Sequence, residues 1–109
     1  MGINEQLENT ILELRRGIIV LAVLNHLGEE HYGYSLMKRL FDQGLAVDQG
    51  TLYPLLRRLE AQGLLRSAWK LEEARPRRYY VLSDEGQKIL PQLKKEWTGI
   101  VSMMEKVLG

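Results

Sequence analysis

The 109-residue sequence contains no cysteine, which excludes a disulfide framework, a thiolate metal cluster and a cysteine nucleophile. Long apolar runs are also missing, because the densest one, residues 17–24, is far shorter than the roughly 20 residues that a membrane-spanning helix requires. The first residues include Glu5, Glu8 and Glu13, where a secretory signal would carry basic residues. These absences predict a cytoplasmic protein that does not associate with a membrane, and a length of 109 residues predicts one compact domain.

Residues of the kind that enzymes use are scarce as well. The two histidines are His26, inside an apolar segment, and His31, which follows Glu29 and Glu30. Their spacing matches no zinc pattern, so a solvated loop is favoured over a metal site. The sequence has no nucleophile elbow, phosphate loop or dinucleotide fingerprint. We therefore expect neither an enzyme nor a bound metal or cofactor.

Basic residues are concentrated in the middle of the chain, although the net charge is only +1. Residues 34–80 hold nine basic and five acidic residues, a net charge of +4. The flanking segments hold six basic and nine acidic residues, a net charge of −3. A basic middle between acidic ends is expected where only the middle faces a polyanion. An ordinary solvated surface is the alternative that charge counts alone leave open.

Three helices are predicted in the first part of the chain. Apolar periodicity indicates one over residues 9–27, apolar on nearly all sides, and a second over residues 34–43. The third begins at residue 50 or 51, ends near residue 62 and takes Asp48 as its candidate N-cap. Its buried stripe consists of four leucines at helical spacing, Leu52, Leu55, Leu56 and Leu59.

Two strands and a long helix are predicted after residue 63. The strands occupy residues 64–71 and 77–82, with residues 72–76 as a hairpin loop. Ser83 is the candidate N-cap of the last helix, in which Pro91 predicts a kink. Apolar residues spaced three and four apart form a heptad seam along this helix. They are Leu90, Leu93, Trp97, Ile100, Met104 and Val107.

This order of elements predicts a mainly α fold with a small β-hairpin. It is a winged helix-turn-helix domain over residues 1–82, with its N-terminal helix included, followed by a dimerisation helix over residues 83–109. In such a unit the second helix of the helix-turn-helix pair lies in the major groove of DNA. Arg57 is the best candidate for a base or phosphate contact, because a guanidinium pairs bidentately with either.

The candidate DNA contacts also have structural interpretations. Arg57 and Arg58 are typical of a solvated helix, and Tyr53 is typical of the edge of a core. The arginines at positions 75, 77 and 78 are typical of a strand edge that resists pairing. A basic helix face next to a basic hairpin nevertheless favours DNA. A winged-helix module that binds another protein is the alternative, although such faces are normally depleted in charge.

The segment Thr-Leu-Tyr-Pro-Leu-Leu-Arg-Arg-Leu-Glu at residues 51–60, followed by Gly63-Leu64, resembles the recognition-helix signature of the PadR-type winged-helix regulators. Gly33-Tyr34 and residues 77–83, with Gly86 after them, match the same pattern. The resemblance covers essentially the whole chain. It implies a DNA-binding repressor that dimerises through its C-terminal helix and is often released from its operator by a small molecule.

The single short C-terminal helix is similar to that of the compact PadR subfamily with multidrug-sensing members. In that subfamily an aromatic residue on this helix can line a ligand pore at the dimer centre, and Trp97 occupies the matching position. Pro91 departs from the pattern. A tryptophan in a helical seam more often serves packing. The sharper interpretation is that two Trp97 side chains stack on a flat aromatic or cationic inducer, with Met104 nearby.

The predicted partners are duplex DNA, a second copy of the chain and a small-molecule inducer. A twofold dimer would place two recognition helices roughly 34 Å apart and predicts a near-palindromic operator. The residues predicted to bind DNA are Tyr34, Gln49, Gly50, Thr51, Tyr53, Pro54, Arg57, Arg58, Arg75, Arg77 and Arg78. The residues predicted at the dimer interface are Leu14, Ile18, Leu90, Leu93, Trp97, Ile100, Val101, Met104 and Val107, with Trp97 and Met104 as candidate ligand contacts.

Overall fold

A computed structural model describes residues 2–109 and contains four helices and a three-stranded antiparallel sheet. The predicted mainly α fold, a winged helix-turn-helix with a further C-terminal helix, is confirmed. The elements in chain order are α1 (Ile3–His26), β1 (His31–Tyr32), α2 (Gly33–Asp42), α3 (Gln49–Ala61), β2 (Leu65–Glu72), β3 (Arg75–Leu82) and α4 (Asp84–Leu108).

Helix α1 begins at Ile3, earlier than the predicted residue 9, because its first turns consist largely of Glu, Gln and Leu, which are good helix formers. Only the C-terminal half of α1 enters the core of the described chain, through Ile19, Val23 and Leu24. A helix that is apolar on nearly all sides should be covered by other elements of the chain or by a partner, and within the single chain this holds only for the C-terminal half of α1. Its N-terminal half is exposed except for Ile11, which is half-buried.

Helices α2 and α3 begin and end close to their predicted bounds. The Asp48 side chain accepts a hydrogen bond of 2.9 Å from the Thr51 backbone amide, which confirms it as the N-cap of α3. The four-leucine stripe of α3 is buried, also as predicted. Gly44 and Gly63 follow the two helices with φ of +92° and +82°, the left-handed conformation that closes a helix end.

The sheet has the strand order β1-β3-β2. The short strand β1 was not predicted from the sequence. Its two residues pair with β3 in the register His31 to Tyr80 and Tyr32 to Tyr79. This pairing fixes the start of α2 against the central strand of the sheet.

The predicted five-residue loop over residues 72–76 is wrong, because the two long strands are joined by a tight turn of only two residues. Glu72 pairs with Arg75, and Glu73 and Ala74 have φ of 48° and 62°. Two successive positive φ values are typical of a type I′ turn, whose twist matches the twist of the two paired strands. Asn or Gly usually signals such a turn, and both are absent here.

Helix α4 begins at the point where three elements meet. The Ser83 hydroxyl donates to the Gly63 carbonyl at 2.6 Å and accepts from the Gly86 amide at 3.0 Å, which confirms Ser83 as the N-cap. A Cβ at Gly86 would overlap the Leu64 backbone carbonyl, so only glycine fits this contact. The helix continues across Pro91 to Leu108. The kink at Pro91 stays a prediction.

The buried hydrophobic core of the described chain lies entirely between Ile19 and Leu82. The radius of gyration is 15.8 Å, against about 13 Å for a compact domain of this length, and the longest dimension is 52 Å. The excess length is consistent with long helices that extend beyond the core. The division into residues 1–82 and 83–109 stays a prediction.

Candidate nucleic-acid interface

The outer face of α3 is exposed along its whole length because its leucine stripe is turned into the core. Its first turns carry small side chains, which allow close approach by another molecule. A hydrogen bond from Thr51 holds the pKa of Asp48 below its ordinary value, so the cap stays ionised at the helix start. The exposed residues of α3 among those predicted to bind DNA are Gln49, Gly50, Thr51, Pro54, Arg57 and Arg58.

The two tyrosines predicted at the interface differ in exposure. Tyr34 is exposed near the start of α2 and lines a surface groove together with Asp48 and Thr51 at the start of α3. Tyr53 is half-buried and packs against the core. Its ring lies so close to Gly33 that a Cβ there would overlap it. Gly33 thus allows α3 to pack closely against the start of α2.

The wing, which we define as β2, β3 and their turn (residues 65–82), carries three of the predicted arginines in different environments. Arg75 is exposed beside the turn. Arg77 is half-buried, with its guanidinium 4.5 Å from the centre of the Tyr32 ring and its Nη1 3.4 Å from Glu72 Oε2. A hydrogen bond to Glu72 raises the pKa of Tyr79, the neighbour of Tyr32 in the sheet.

Arg78 points to the opposite face of β3, toward α3. Its Nη2 donates to Glu60 Oε1 at 2.6 Å, and its Nε donates to the Ser67 hydroxyl at 3.0 Å. Its guanidinium also lies 5.4 Å from the centre of the Tyr80 ring. Burial raises the pKa of Tyr80, and the Arg78 charge opposes this shift.

A cleft of about 290 Å³ separates α3 from the wing. Arg57 reaches it from the helix, and Arg77 and Arg78 reach it from the wing. Within the described part of the chain, Arg57 makes no side-chain hydrogen bond or ion pair. The cleft therefore brings together one unpaired cation and two that are already engaged.

Sequence reasoning missed three residues of this region. Glu60 pairs with Arg78, Trp69 is exposed on β2 and lines the cleft, and Lys70 pairs with Glu30. The sequence could have indicated the role of Glu60. It is the one acidic residue of a helix whose other charged residues are arginines, and such a residue often pairs with a basic side chain.

A second surface lies along the exposed sides of α1 and α4. It forms an apolar groove of about 590 Å³. Among the predicted dimer residues, Leu14, Ile18, Leu93, Trp97, Ile100, Val101 and Met104 line this groove. Leu90 and Leu93 are partly buried against the core of the same chain, and Val107 is exposed outside the groove lining.

Two kinds of feature are absent from the described residues 2–109. No helix among them is long and apolar enough to cross a membrane. No group of three or more His, Asp or Glu residues in this range is arranged to hold a metal ion.

Helix-turn-helix, basic wing and a further C-terminal helix together define a winged-helix transcriptional regulator. The profile of the PadR-like family of transcriptional regulators matches residues 20–92. The transcriptional regulator Rv3488 of Mycobacterium tuberculosis is 35% identical over 98 residues, 89% of each chain. The chain belongs to the PadR-like family. Because this family consists of transcriptional regulators, the expectation that the chain is not an enzyme is confirmed.

Solved structures of similar proteins have the same fold. The PadR family transcriptional regulator of Eggerthella lenta is 43% identical, with a TM-score of 0.87 over 96% of this chain and 94% of that chain. A transcriptional regulator of Clostridium thermocellum is 30% identical, with a TM-score of 0.79 over 89% of this chain and 99% of that chain.

Proposed function

We propose that the chain binds duplex DNA, with α3 in the major groove and the wing along the phosphate backbone. The observation that carries this proposal is the unpaired guanidinium of Arg57 in the cleft between the exposed face of α3 and the basic wing. A guanidinium in that position is available to a guanine edge or a phosphate. The small side chains of Gly50 and Thr51 allow the N-terminal end of α3 to approach base edges.

We further propose that the chain acts as a homodimer joined through α1 and α4. Trp97, Ile100 and Val101 are about 40% exposed in the apolar groove, and a contiguous apolar surface of this kind normally marks an interface. A second copy of the same chain supplies an equally apolar surface. Light scattering at micromolar concentration is expected to give twice 12.6 kDa. A particle of 12.6 kDa would contradict the dimer.

A twofold dimer with two α3 helices predicts a near-palindromic operator, with half-sites about one DNA turn apart. We propose that binding to such an operator represses transcription. A reporter gene downstream of the operator is expected to be silent with the protein and active without it. Higher expression in the presence of the protein would contradict repression.

The inducer proposal concerns Trp97 and Met104, which both line the α1–α4 groove. We propose that a flat aromatic or cationic compound stacks on Trp97 and releases the DNA. A planar cationic dye is expected to quench tryptophan emission and to weaken operator binding. Both effects should be lost in a Trp97→Ala variant that still dimerises. Because Trp69 also emits, quenching that persists in this variant would contradict the site.

The test of DNA binding is selection of duplex fragments from a random pool, followed by a salt titration of the selected fragment. The selected site is expected to bind at least ~10³ tighter than random duplex at about 0.15 M salt. Arg57→Ala is expected to weaken specific binding by roughly 1–3 kcal/mol, while Arg15→Ala, an equal charge change on α1, has little effect. If the affinity is the same for all sequences and is lost as the salt concentration rises, the binding is only non-specific electrostatic attraction. That result would favour a protein partner instead of an operator.

A further inference from the structure

A closed network of three side chains joins α3 to both strands of the wing. Glu60 Oε1 accepts from Arg78 Nη2 at 2.6 Å, and Glu60 Oε2 accepts from the Ser67 hydroxyl at 2.5 Å. The Ser67 oxygen in turn accepts from Arg78 Nε at 3.0 Å. One residue comes from α3, one from β2 and one from β3, so the network ties the helix to both strands, and Arg78 also lines the cleft.

The environment of this network distinguishes it from an ordinary surface ion pair. The side chains of Arg78 and Glu60 are 35% and 28% exposed, whereas those of the pair Arg16–Glu13 are 74% and 68% exposed. The Arg78 guanidinium also lies near the rings of Tyr80 and Trp69, at 5.4 and 5.9 Å from their centres. Exposed ion pairs are weak because solvent screens their charges and because ordering two long side chains costs entropy. Partial burial reduces the screening here, and several simultaneous hydrogen bonds share the entropy cost.

We infer that Arg78 and Glu60 are positioning residues, which hold the wing at a fixed angle to α3, and that Arg78 does not bind DNA phosphate. This inference rests on the proposed DNA-binding function. The Arg78 guanidinium already donates to two partners, whereas Arg57 beside it donates to none within the described residues. The acidic charge of Glu60 would repel a polyanion if Arg78 left it to reach the backbone.

The consequence for recognition follows from the geometry of a winged helix. Specific binding requires that α3 and the wing contact the same duplex together, because backbone contacts set the register in which base edges are read. Non-specific binding requires only positive charge. Removal of the network is therefore expected to reduce the ratio of specific to non-specific affinity, even where the substitution makes the protein more positively charged.

The decisive variant is Glu60→Gln, which keeps the shape of the side chain and removes one negative charge. Its matched control is Glu73→Gln at the wing turn, because Glu73 makes no side-chain hydrogen bond or ion pair in the described part of the chain. Glu60→Gln is expected to weaken operator binding about tenfold and to leave random-duplex binding unchanged or tighter. Glu73→Gln is expected to tighten both. Tighter operator binding by Glu60→Gln would overturn the inference.

A salt titration separates positioning from direct binding of phosphate. Arg57→Ala is expected to reduce the slope of log affinity against log salt by about 0.9 for each phosphate that the variant no longer neutralises. Arg78→Ala is expected to weaken operator binding without reducing this slope. A reduced slope for Arg78→Ala, in a variant whose circular dichroism matches the parent, would show that Arg78 binds phosphate and overturn the inference.

Hydrogen exchange of the free protein tests the same network without DNA. Glu60→Gln is expected to accelerate amide exchange in β2 and β3 and to leave α1 and α4 unchanged, whereas Glu73→Gln changes neither. Unchanged exchange in the wing of Glu60→Gln would overturn the inference. If the parent protein shows no operator preference while the wing of Glu60→Gln exchanges faster, then the proposed function has failed and the network has not.

Discussion

The two halves of the molecule differ in how completely they bury their apolar side chains. In the helix-turn-helix and wing, the leucines of α2 and α3 are almost fully buried, together with Tyr80 and Leu82 of β3. Helix α4 is longer than those two helices together, yet Gly86 is its only buried residue among those described. Ile3 and Leu7 at the start of α1 are also exposed. Most of the apolar side chains of the first half are covered by the chain itself, whereas most of those on α4 and at the start of α1 stay exposed within the single chain.

If the chain forms the proposed dimer, this contrast distinguishes residues that stabilise the folded chain from residues that join two chains. Substitutions in the winged-helix core should lower the free energy of unfolding of each protomer at every concentration. Substitutions in the α1–α4 groove should act through association, so their effect depends on protein concentration. Four predictions, taken from the largest expected effect to the smallest, test either the stability of the folded chain or its association.

The largest effect is expected from Gly86→Ala, which places a Cβ against the Leu64 backbone carbonyl. A backbone oxygen cannot move aside cheaply, so we expect a loss of about 3 kcal/mol or more in urea denaturation. Gly99→Ala is the control, because a Cβ at Gly99 meets nothing within 4 Å in the protomer. It is expected to be neutral or stabilising by about 0.5 kcal/mol in α4. Equal losses in both variants would contradict the packing argument.

A smaller but concentration-dependent effect is expected from Ile100→Glu. It places a charge in the apolar groove of each protomer, so the dimer dissociation constant should rise about 100-fold, or roughly 2.7 kcal/mol. The unfolding of the separated protomer should change little. Gln92→Glu adds the same charge to an exposed position of α4 outside the groove lining. Sedimentation equilibrium measures both variants, and similar dissociation constants would remove the groove from the interface.

Ser83→Ala is expected to destabilise the protomer by about 1–2 kcal/mol. The buried hydroxyl caps α4 and also donates to the Gly63 carbonyl, and the substitution removes both bonds together. Thr98→Ala removes a hydroxyl from an exposed position of the same helix and should change the free energy of unfolding by less than about 0.5 kcal/mol. A loss at Ser83 no greater than that at Thr98 would contradict this role.

The smallest effect concerns His31 in β1. Burial, followed by the charge of Arg39, holds the pKa of His31 below its ordinary value of 6.5. The folded state therefore binds this proton less readily than the unfolded state. The associated stability is fully present above pH 6.5 and is lost as the pH falls through the folded pKa. Between about pH 7.5 and 5, His31→Gln should lose less stability than the parent, and an equal loss would contradict the shift.

Much of the fold could be predicted because its signals are local. The leucine stripe of α3, its Asp48 cap and the Ser83 cap of α4 each depend on residues within a few positions of one another. Strand β1 could not be predicted, because two residues carry no periodicity and form a strand only through β3. The turn at Glu73 and Ala74 was missed for the opposite reason. It is local but uses residues that rarely adopt positive φ.

The candidate site shows the same limit. The exposed face of α3 and the position of Arg57 follow from helical periodicity alone. The environment of Arg78 does not, because Ser67 reaches Arg78 only when β2 pairs with β3, and Glu60 reaches it only when the wing packs on α3. Residue type and charge identified Arg78 as a candidate DNA contact, whereas tertiary packing places it against Glu60 and Ser67.

The shortest element of the sheet also has a consequence for the order in which the protein folds. Pairing of Tyr32 with Tyr79 closes a loop that contains α2, α3 and most of the wing. The hairpin of β2 and β3 closes a loop of only two residues. Because loop-closure entropy must be lost before distant contacts form, we expect the hairpin to form early and β1 to dock late. We therefore expect the sheet to gain its third strand last, after the hairpin has formed.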